Sequence, residues 1–306
     1  MMKKHERLQG LIAASFTPMD KQGNVCLSEI ENYAEFLIKS GVNGVFVNGT
    51  TGEGASLTTD ERKKILGHWV KAVNGRIKVI AHVGNFCLPE AVALAKHAQL
   101  CGADGTASIA PSFFKPSSVK DLIAFFVPIA AAAPELPFYY YNMPSMTGVD
   151  LSVEQFLIEG KKSIPNLAGT KFTHNNLMEM CACLHLDNGA FEVLNGYDET
   201  LIAGLAMGAT AGVGSTYNYF APIYNNILNA MKKNDVEEAR SNQLKSINLV
   251  KIIIKYGGGV RGGKAIMDLL GIRCGSCRLP IAPFSDEEYK SLKKDLNAID
   301  FFQVHQ

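Results

Sequence analysis

Eight times in this chain a short apolar run gives way to a longer amphipathic segment, and no other feature restricts the fold as much. The apolar runs are residues 10–16, 44–48, 77–83, 105–110, 138–142, 167–172, 191–195 and 211–215. The segments 27–39, 59–73, 88–100, 118–133, 151–160, 176–186, 199–207 and 217–231 carry helical periodicity or composition. Runs that are apolar throughout suit parallel strands buried on both faces, each followed by its crossover helix. Eight such units are the count of an α/β (β/α)8 TIM barrel. A doubly wound sheet is the competing arrangement, but it rarely needs so many strands, and no GxGxxG follows the first run. Boundary signals agree: Ser28 precedes Glu31, Thr58 precedes Glu61, Pro89 opens the third helix, and Gly41, Gly102 and Gly208 stand just past helix ends.

Beyond residue 231 the alternation stops, and three further helical segments are expected at about 236–256, 263–270 and 286–300. The organisation expected is therefore a barrel over 8–232 that carries the active site, with a C-terminal helical region, 233–306, packed on it. With 47% hydrophobic and 19% charged residues the 306-residue chain can bury a large core. A net charge of +1 without any basic stripe points away from nucleic-acid and membrane partners and toward a small-molecule substrate. No signal peptide or membrane-spanning run is legible, so a cytoplasmic protein is expected. Seven cysteines, mostly single within apolar segments (Cys26, Cys87, Cys101, Cys181, Cys183), suit buried free thiols. The pair Cys274 and Cys277 forms a CxxC without a partner pair. The seven histidines, His82 at a strand end among them, show no metal-ligand spacing. The GxxxxGK of residues 258–264 lacks the hydroxyl residue of a nucleotide loop, since Ala265 follows. Neither metal nor cofactor is expected.

Chemically unusual residues fall at the C-terminal ends of the expected strands, where barrels of this kind place their functional groups. Lys171 ends an apolar run. Desolvation there favours the neutral amine that imine formation with a ketone requires, although a lysine reaching solvent or pairing with a carboxylate fits the same stretch. Asn48-Gly49-Thr50-Thr51-Gly52-Glu53-Gly54 follows the second strand. Its glycines allow backbone N–H groups to face an anion and its threonines add hydroxyls, but a plain tight turn reads the same way. In Tyr139-Tyr140-Tyr141 alternation puts the first and third rings on one face, so one phenol can reach the barrel mouth. Asp198 and Glu199 follow the seventh strand and Ser215 the eighth. They offer acceptors and donors for a polyol, or, for Asp198, an ordinary helix cap.

In combination these residues resemble the pyruvate-dependent class I aldolases of the dihydrodipicolinate synthase and N-acetylneuraminate lyase family. The resemblance rests on Gly10-Leu11-Ile12-Ala13-Ala14, Gly49-Thr50-Thr51-Gly52-Glu53, Tyr141-Asn142-Met143-Pro144 and Gly169-Thr170-Lys171. Asn195-Gly196-Tyr197-Asp198-Glu199 and Gly212-Val213-Gly214-Ser215-Thr216-Tyr217-Asn218 look like its lyase branch. It implies that Lys171 forms the Schiff base, that Tyr141 carries protons, and that Thr50 and Thr51 hold the pyruvate carboxylate. Thr173, Gly196, Asp198, Glu199 and Ser215 would meet the sugar end. The implied reaction is reversible retro-aldol cleavage of N-acetylneuraminate, a sialic acid, to pyruvate and N-acetylmannosamine, by a cofactor-free cytoplasmic homotetramer. Two departures stand out. Phe113 and Phe114 lie where many members place an inter-subunit tyrosine, and Met146 stands where the synthase branch has an arginine. Dihydrodipicolinate synthase, an aldolase for 2-keto-3-deoxy sugar acids, and a non-catalytic sugar-acid-binding protein are the alternatives.

Overall fold

A computed structural model describes residues 6–305. Eight strands, β1 Gly10–Ala14, β2 Gly44–Val47, β3 Lys78–His82, β4 Gly105–Ile109, β5 Phe138–Asn142, β6 Leu167–Phe172, β7 Glu192–Asn195 and β8 Ala211–Gly214, close into one parallel barrel in chain order. The closing pair sets Gly10 against Ala211. Its outer ring is built from α1 Glu29–Lys39, α2 Thr59–Val73, α3 Leu88–Cys101, α4 Val119–Ala131, α5 Pro144–Thr147, α6 Val153–Gly160, α7 Leu177–His185, α8 Leu201–Ala206 and α9 Tyr217–Lys232. The chain ends with α10 Val236–Lys255, α11 Gly258–Leu269 and α12 Asp286–Asn297.

Strand alternation sorts the side chains into two cores. Ile12, Phe46, Ile80, Ala107, Tyr139, Tyr141, Leu194 and Val213 fill the barrel interior. Tyr140 points outward, with its ring 5.4 Å from that of Phe126 on α4 and 4.8 Å from that of Phe156 on α6. Near the N-terminal end of the strands, Glu192 accepts hydrogen bonds from Tyr139 Oη (3.1 Å) and from Leu8 N (2.7 Å). A polar plug thus satisfies itself at that end and leaves Tyr141, one layer higher, facing the mouth.

The capping box at Thr58 and Glu61 forms as expected, and Gly41, Gly102 and Gly208 have φ of 78°, 86° and 106°. Ser28 differs: its backbone is already helical (φ −64°, ψ −22°) and its hydroxyl caps nothing. Among the cysteines only Cys183 and Cys274 are buried while Cys87 is exposed, so the expectation of buried thiols holds only in part; all seven are free. Two elements were not foreseen. One is the single turn α5; the other is the start of α11, at Gly258 rather than 263. Glycine lowers helix propensity by about 1 kcal/mol per residue, which hides this start. The packing accounts for the glycines: a Cβ on Gly263 would overlap the Phe16 ring, and one on Gly262 would come within 3.2 Å of Ile253.

Candidate active site

Lys171 sits at the tip of β6, in register with Tyr141 on β5 and Leu194 on β7. Its Nζ lies 4.0 Å from the centre of the Tyr141 ring and 4.4 Å from that of Phe46. The side chain is buried, and among the described residues it makes no hydrogen bond or ion pair. Neither escape to solvent nor pairing with a carboxylate explains this lysine, then; its amine is held against two aromatic faces, an arrangement worth about 0.5–2 kcal/mol to a cation.

Tyr141 Oη stands 3.2 Å from Thr50 Oγ1 and donates to Met143 Sδ at 3.0 Å. The turn carrying Thr50 is tightly built. Asn48 and Glu53 are left-handed (φ 62° and 55°), and a Cβ on Gly54 would overlap the Asn48 carbonyl. Glu53 N returns to Thr50 O (3.0 Å) and Gly54 N to Gly49 O (3.0 Å). The N–H groups of Thr50 and Thr51 have no acceptor among the described residues, so both donors are free in this turn.

Behind Tyr141 stands His82, its ring centre 5.8 Å away and edge-on. Its Nδ1–H donates to Asn48 O (3.0 Å) and its Nε2 accepts from Ile109 N (3.3 Å). Burial first, then the nearby Arg62 charge, holds the imidazole well below its usual range, so it stays neutral. Arg62 on α2 is itself buried and donates to Gly84 O (2.9 Å) and His82 O (2.7 Å), with burial lowering it to about 10. The sequence marks His82 only as a strand-end histidine and gives Arg62 no distinction, because both act through carbonyls that are contiguous only in the fold. Among the described residues no group of three His, Cys, Asp or Glu side chains could hold a metal ion.

Across the mouth, the tips of β6, β7 and β8 bring the other candidates together. Gly196 N donates to Phe172 O at 2.9 Å, and a Cβ there would overlap Thr173 Oγ1. The Thr173 hydroxyl is buried without a hydrogen-bond partner. Asp198 is buried, with Oδ2 accepting from Thr216 N (2.8 Å) and Thr216 Oγ1 (2.6 Å). Burial pushes its carboxyl up to about 6, against the lowering effect of the two Thr216 bonds. Its side chain therefore caps no helix of its own; it fastens the segment entering α9, and only glycine at position 214 leaves it room, since a Cβ there would overlap Oδ1. Glu199 is half-buried, its carboxylate unpartnered among the described residues. Ser215 Oγ faces Gly259 of α11, 3.2 Å from where a Cβ would stand. The C-terminal helices thus reach the rim, helped by Gln243 of α10, which donates to Asp198 O (3.1 Å) and accepts from Ile202 N (2.9 Å).

The profile of the Dihydrodipicolinate synthetase family matches residues 7–299. This chain belongs to that family. It is 42% identical to N-acetylneuraminate lyase of Mus musculus over 300 residues, 97% of this chain and 94% of the mouse protein. Among solved structures it is similar to the N-acetylneuraminate lyase (sialic acid aldolase) of Aliivibrio salmonicida, with a TM-score of 0.94 and 42% identity over 97% of this chain and 98% of the other. The lyase of Proteus mirabilis also superimposes with a TM-score of 0.94, at 38% identity over 97% and 100% of the two chains. A shared family and a near-full-length match agree with the barrel described above, and they leave the individual side chains to be argued from their own positions.

Proposed function

We propose that this protein is a class I aldolase that cleaves N-acetylneuraminate reversibly to pyruvate and N-acetylmannosamine. The observation that carries the reading is the unpaired, buried amine of Lys171 against the ring of Tyr141, whose hydroxyl adjoins Thr50. The neutral amine adds to the C2 ketone of the open-chain sugar acid, and proton uptake with loss of water leaves a protonated imine. That imine accepts the electron pair of the C3–C4 bond as the C4 hydroxyl gives up its proton, and N-acetylmannosamine departs as the aldehyde. The remaining enamine is protonated at C3, and water hydrolyses the imine to release pyruvate and restore the lysine. Tyr141, with its ring 4.0 Å from Lys171 Nζ and its hydroxyl beside Thr50, is assigned the proton transfers. Thr50 and Thr51, with free N–H groups and hydroxyls, are assigned the pyruvate carboxylate.

The sugar end falls to Thr173, Gly196, Asp198, Glu199 and Ser215. The unpartnered, buried Thr173 hydroxyl supports this, since such a group costs about 1–3 kcal/mol and a ligand hydroxyl relieves it, and the half-buried Glu199 carboxylate also stands free among the described residues. We further assign the site to the barrel, residues 8–232, and treat 233–306 as a helical region packed on it. A homotetramer working in the cytoplasm completes the proposal. Phe113 and Phe114 support the oligomer, being 78% and 86% exposed and packed edge to face on one another, an apolar patch suited to a subunit contact. Free thiols throughout support the reducing compartment, and no helix among the described residues is long and apolar enough to cross a membrane. The decisive assay is pyruvate release from N-acetylneuraminate by the purified protein. Release at an enzymatic rate supports the proposal; none, with the fold intact, overturns it in favour of a binding protein.

A further inference from the structure

The turn that carries Thr50 and Thr51 is gripped from outside the barrel. Glu53 follows the threonines, and its carboxylate runs away from the mouth to meet Lys264 of α11 at 2.6 Å, with both side chains 1% exposed. Its other oxygen accepts from Arg278 N at 2.8 Å, while Lys264 Nζ also donates to Ser276 O at 2.9 Å. Arg278 then reaches back along the same segment, donating to Ser56 O (2.7 Å), to Gly23 O (2.9 and 2.8 Å) and to both oxygens of Glu61 (2.9 and 2.5 Å). On the inner side Thr17 Oγ1 holds Gly52 O at 2.7 Å. A residue at φ 55° keeps that conformation only where its surroundings enforce it, and here they are the ion pair and the two flanking hydrogen bonds.

A buried ion pair is weak evidence of a stability role, because well-packed apolar residues often serve as well. This pair also carries no net charge, so it does not draw an anion to the turn as a lone cation would. What remains is geometry. We propose that Glu53 and Lys264 are positioning residues that set where Thr50 and Thr51 meet the carboxylate of the pyruvyl group, tying α11 to that end of the substrate. This rests on the aldolase reading above. Neither residue touches substrate. The sugar-end residues meet the C-terminal helices through other contacts, Asp198 O with Gln243 and Ser215 with Gly259, and substituting Glu53 or Lys264 removes neither.

The test is the condensation of pyruvate with N-acetylmannosamine by wild type, Lys264→Met and the double variant Glu53→Gln/Lys264→Met, with melting temperatures. Lys264→Met leaves a buried carboxylate alone and is expected to lower both stability and pyruvate affinity. The double variant has no stranded charge, so its melting temperature returns toward wild type. Its KM for pyruvate is nevertheless expected to stay raised about tenfold while that for N-acetylmannosamine moves less than about twofold. Recovery of the pyruvate KM together with the melting temperature, or equal rises in both KM values, overturns the positioning role and leaves a structural staple. Should Lys264→Met fail to fold, the double variant decides on the same two constants. An inactive wild type overturns the aldolase reading itself, whereas an active wild type with unmoved variants overturns only the tether.

Discussion

Asp198→Asn separates what the buried carboxylate does for the fold from what it does for the substrate. Burial raises this carboxyl to about 6 from an ordinary 3.8, so the folded protein binds its proton more tightly than the unfolded chain. The sign follows: the stability tied to this proton is fully present below about pH 4 and is lost as pH rises through 6. A gap of about two pH units amounts to ~3 kcal/mol, of which ~2 kcal/mol falls between pH 4.5 and 8. Asparagine keeps the shape and an oxygen for Thr216 N and Oγ1, but it does not ionise. The stability of the variant relative to wild type is therefore expected to rise by ~2 kcal/mol from pH 4.5 to 8, roughly 4 °C in melting temperature for a chain of this size. Calorimetry of both proteins at the two pH values reads this directly, and a difference in melting temperature that does not change with pH refutes the argument. The same variant tests the assignment to the sugar end. Its kcat/KM for N-acetylneuraminate is expected to fall about tenfold relative to that for a truncated 2-keto-3-deoxy acid, while borohydride trapping of pyruvate persists. A uniform loss that follows stability instead returns Asp198 to its fastening role at α9.

Borohydride added with pyruvate should place the reduced pyruvyl mass on the peptide containing Lys171 and nowhere else, and Lys171→Met should abolish it; a label on another lysine makes the mechanism wrong. Thr173→Val removes a buried hydroxyl that has no partner, so the melting temperature should hold or rise by up to ~2 °C while kcat/KM for N-acetylneuraminate drops about tenfold. A marked loss of stability would mean the hydroxyl is satisfied within the protein. Met146 supplies no bidentate partner for a second carboxylate, so pyruvate and aspartate semialdehyde should condense far more slowly than N-acetylneuraminate is cleaved; the opposite ranking moves the protein to the synthase branch.

The strands were legible because a parallel barrel buries both faces of each one, which writes them as unbroken apolar runs; β5 and β6 match residue for residue. Tyr139 and Tyr141 were assigned to one face by alternation alone, and the structure puts both in the barrel interior with Tyr140 outside. The helix α11 was misplaced at its start because local propensity and tertiary packing disagree there: Gly262 and Gly263 weaken a helix in isolation, yet only glycine lets it approach Ile253 and Phe16. In the mouth, Lys171, Tyr141 and Thr50 could be placed at strand ends from the order of runs. Their mutual distances could not, since three separate βα units set them. Least legible were the long-range ties. Nothing near Glu53 in sequence points to Lys264, nor near Asp198 to Gln243, and the GxxxxGK that contains Lys264 was weighed only as a nucleotide loop and set aside.

Several groups without partners meet at the barrel mouth, although buried polar atoms of Trp69, Thr106, Tyr219 and Asn242 also lack hydrogen bonds. Lys171 without a counter-charge, Thr173 without a hydrogen-bond partner and Glu199 without a cation all lie at the tips or following turns of β6 and β7. Opposite them, the Thr50 and Thr51 N–H groups are equally free. Elsewhere buried charge is answered locally, as Glu53 by Lys264 and Glu192 by Tyr139 and Leu8 N. Of these groups Thr173 is the buried hydroxyl, and leaving such a group unpaired costs about 1–3 kcal/mol. Under the proposed function the mouth groups face a ligand with a carboxylate at one end, a ketone in the middle and hydroxyls at the other. The closed barrel, which has no free sheet edge, lets strand tips carry such groups without exposing the ladder beneath them. The mouth groups share one ligand in the proposed aldolase reaction, a 2-keto sugar acid, and functional sites are where a fold is expected to depart from purely local rules.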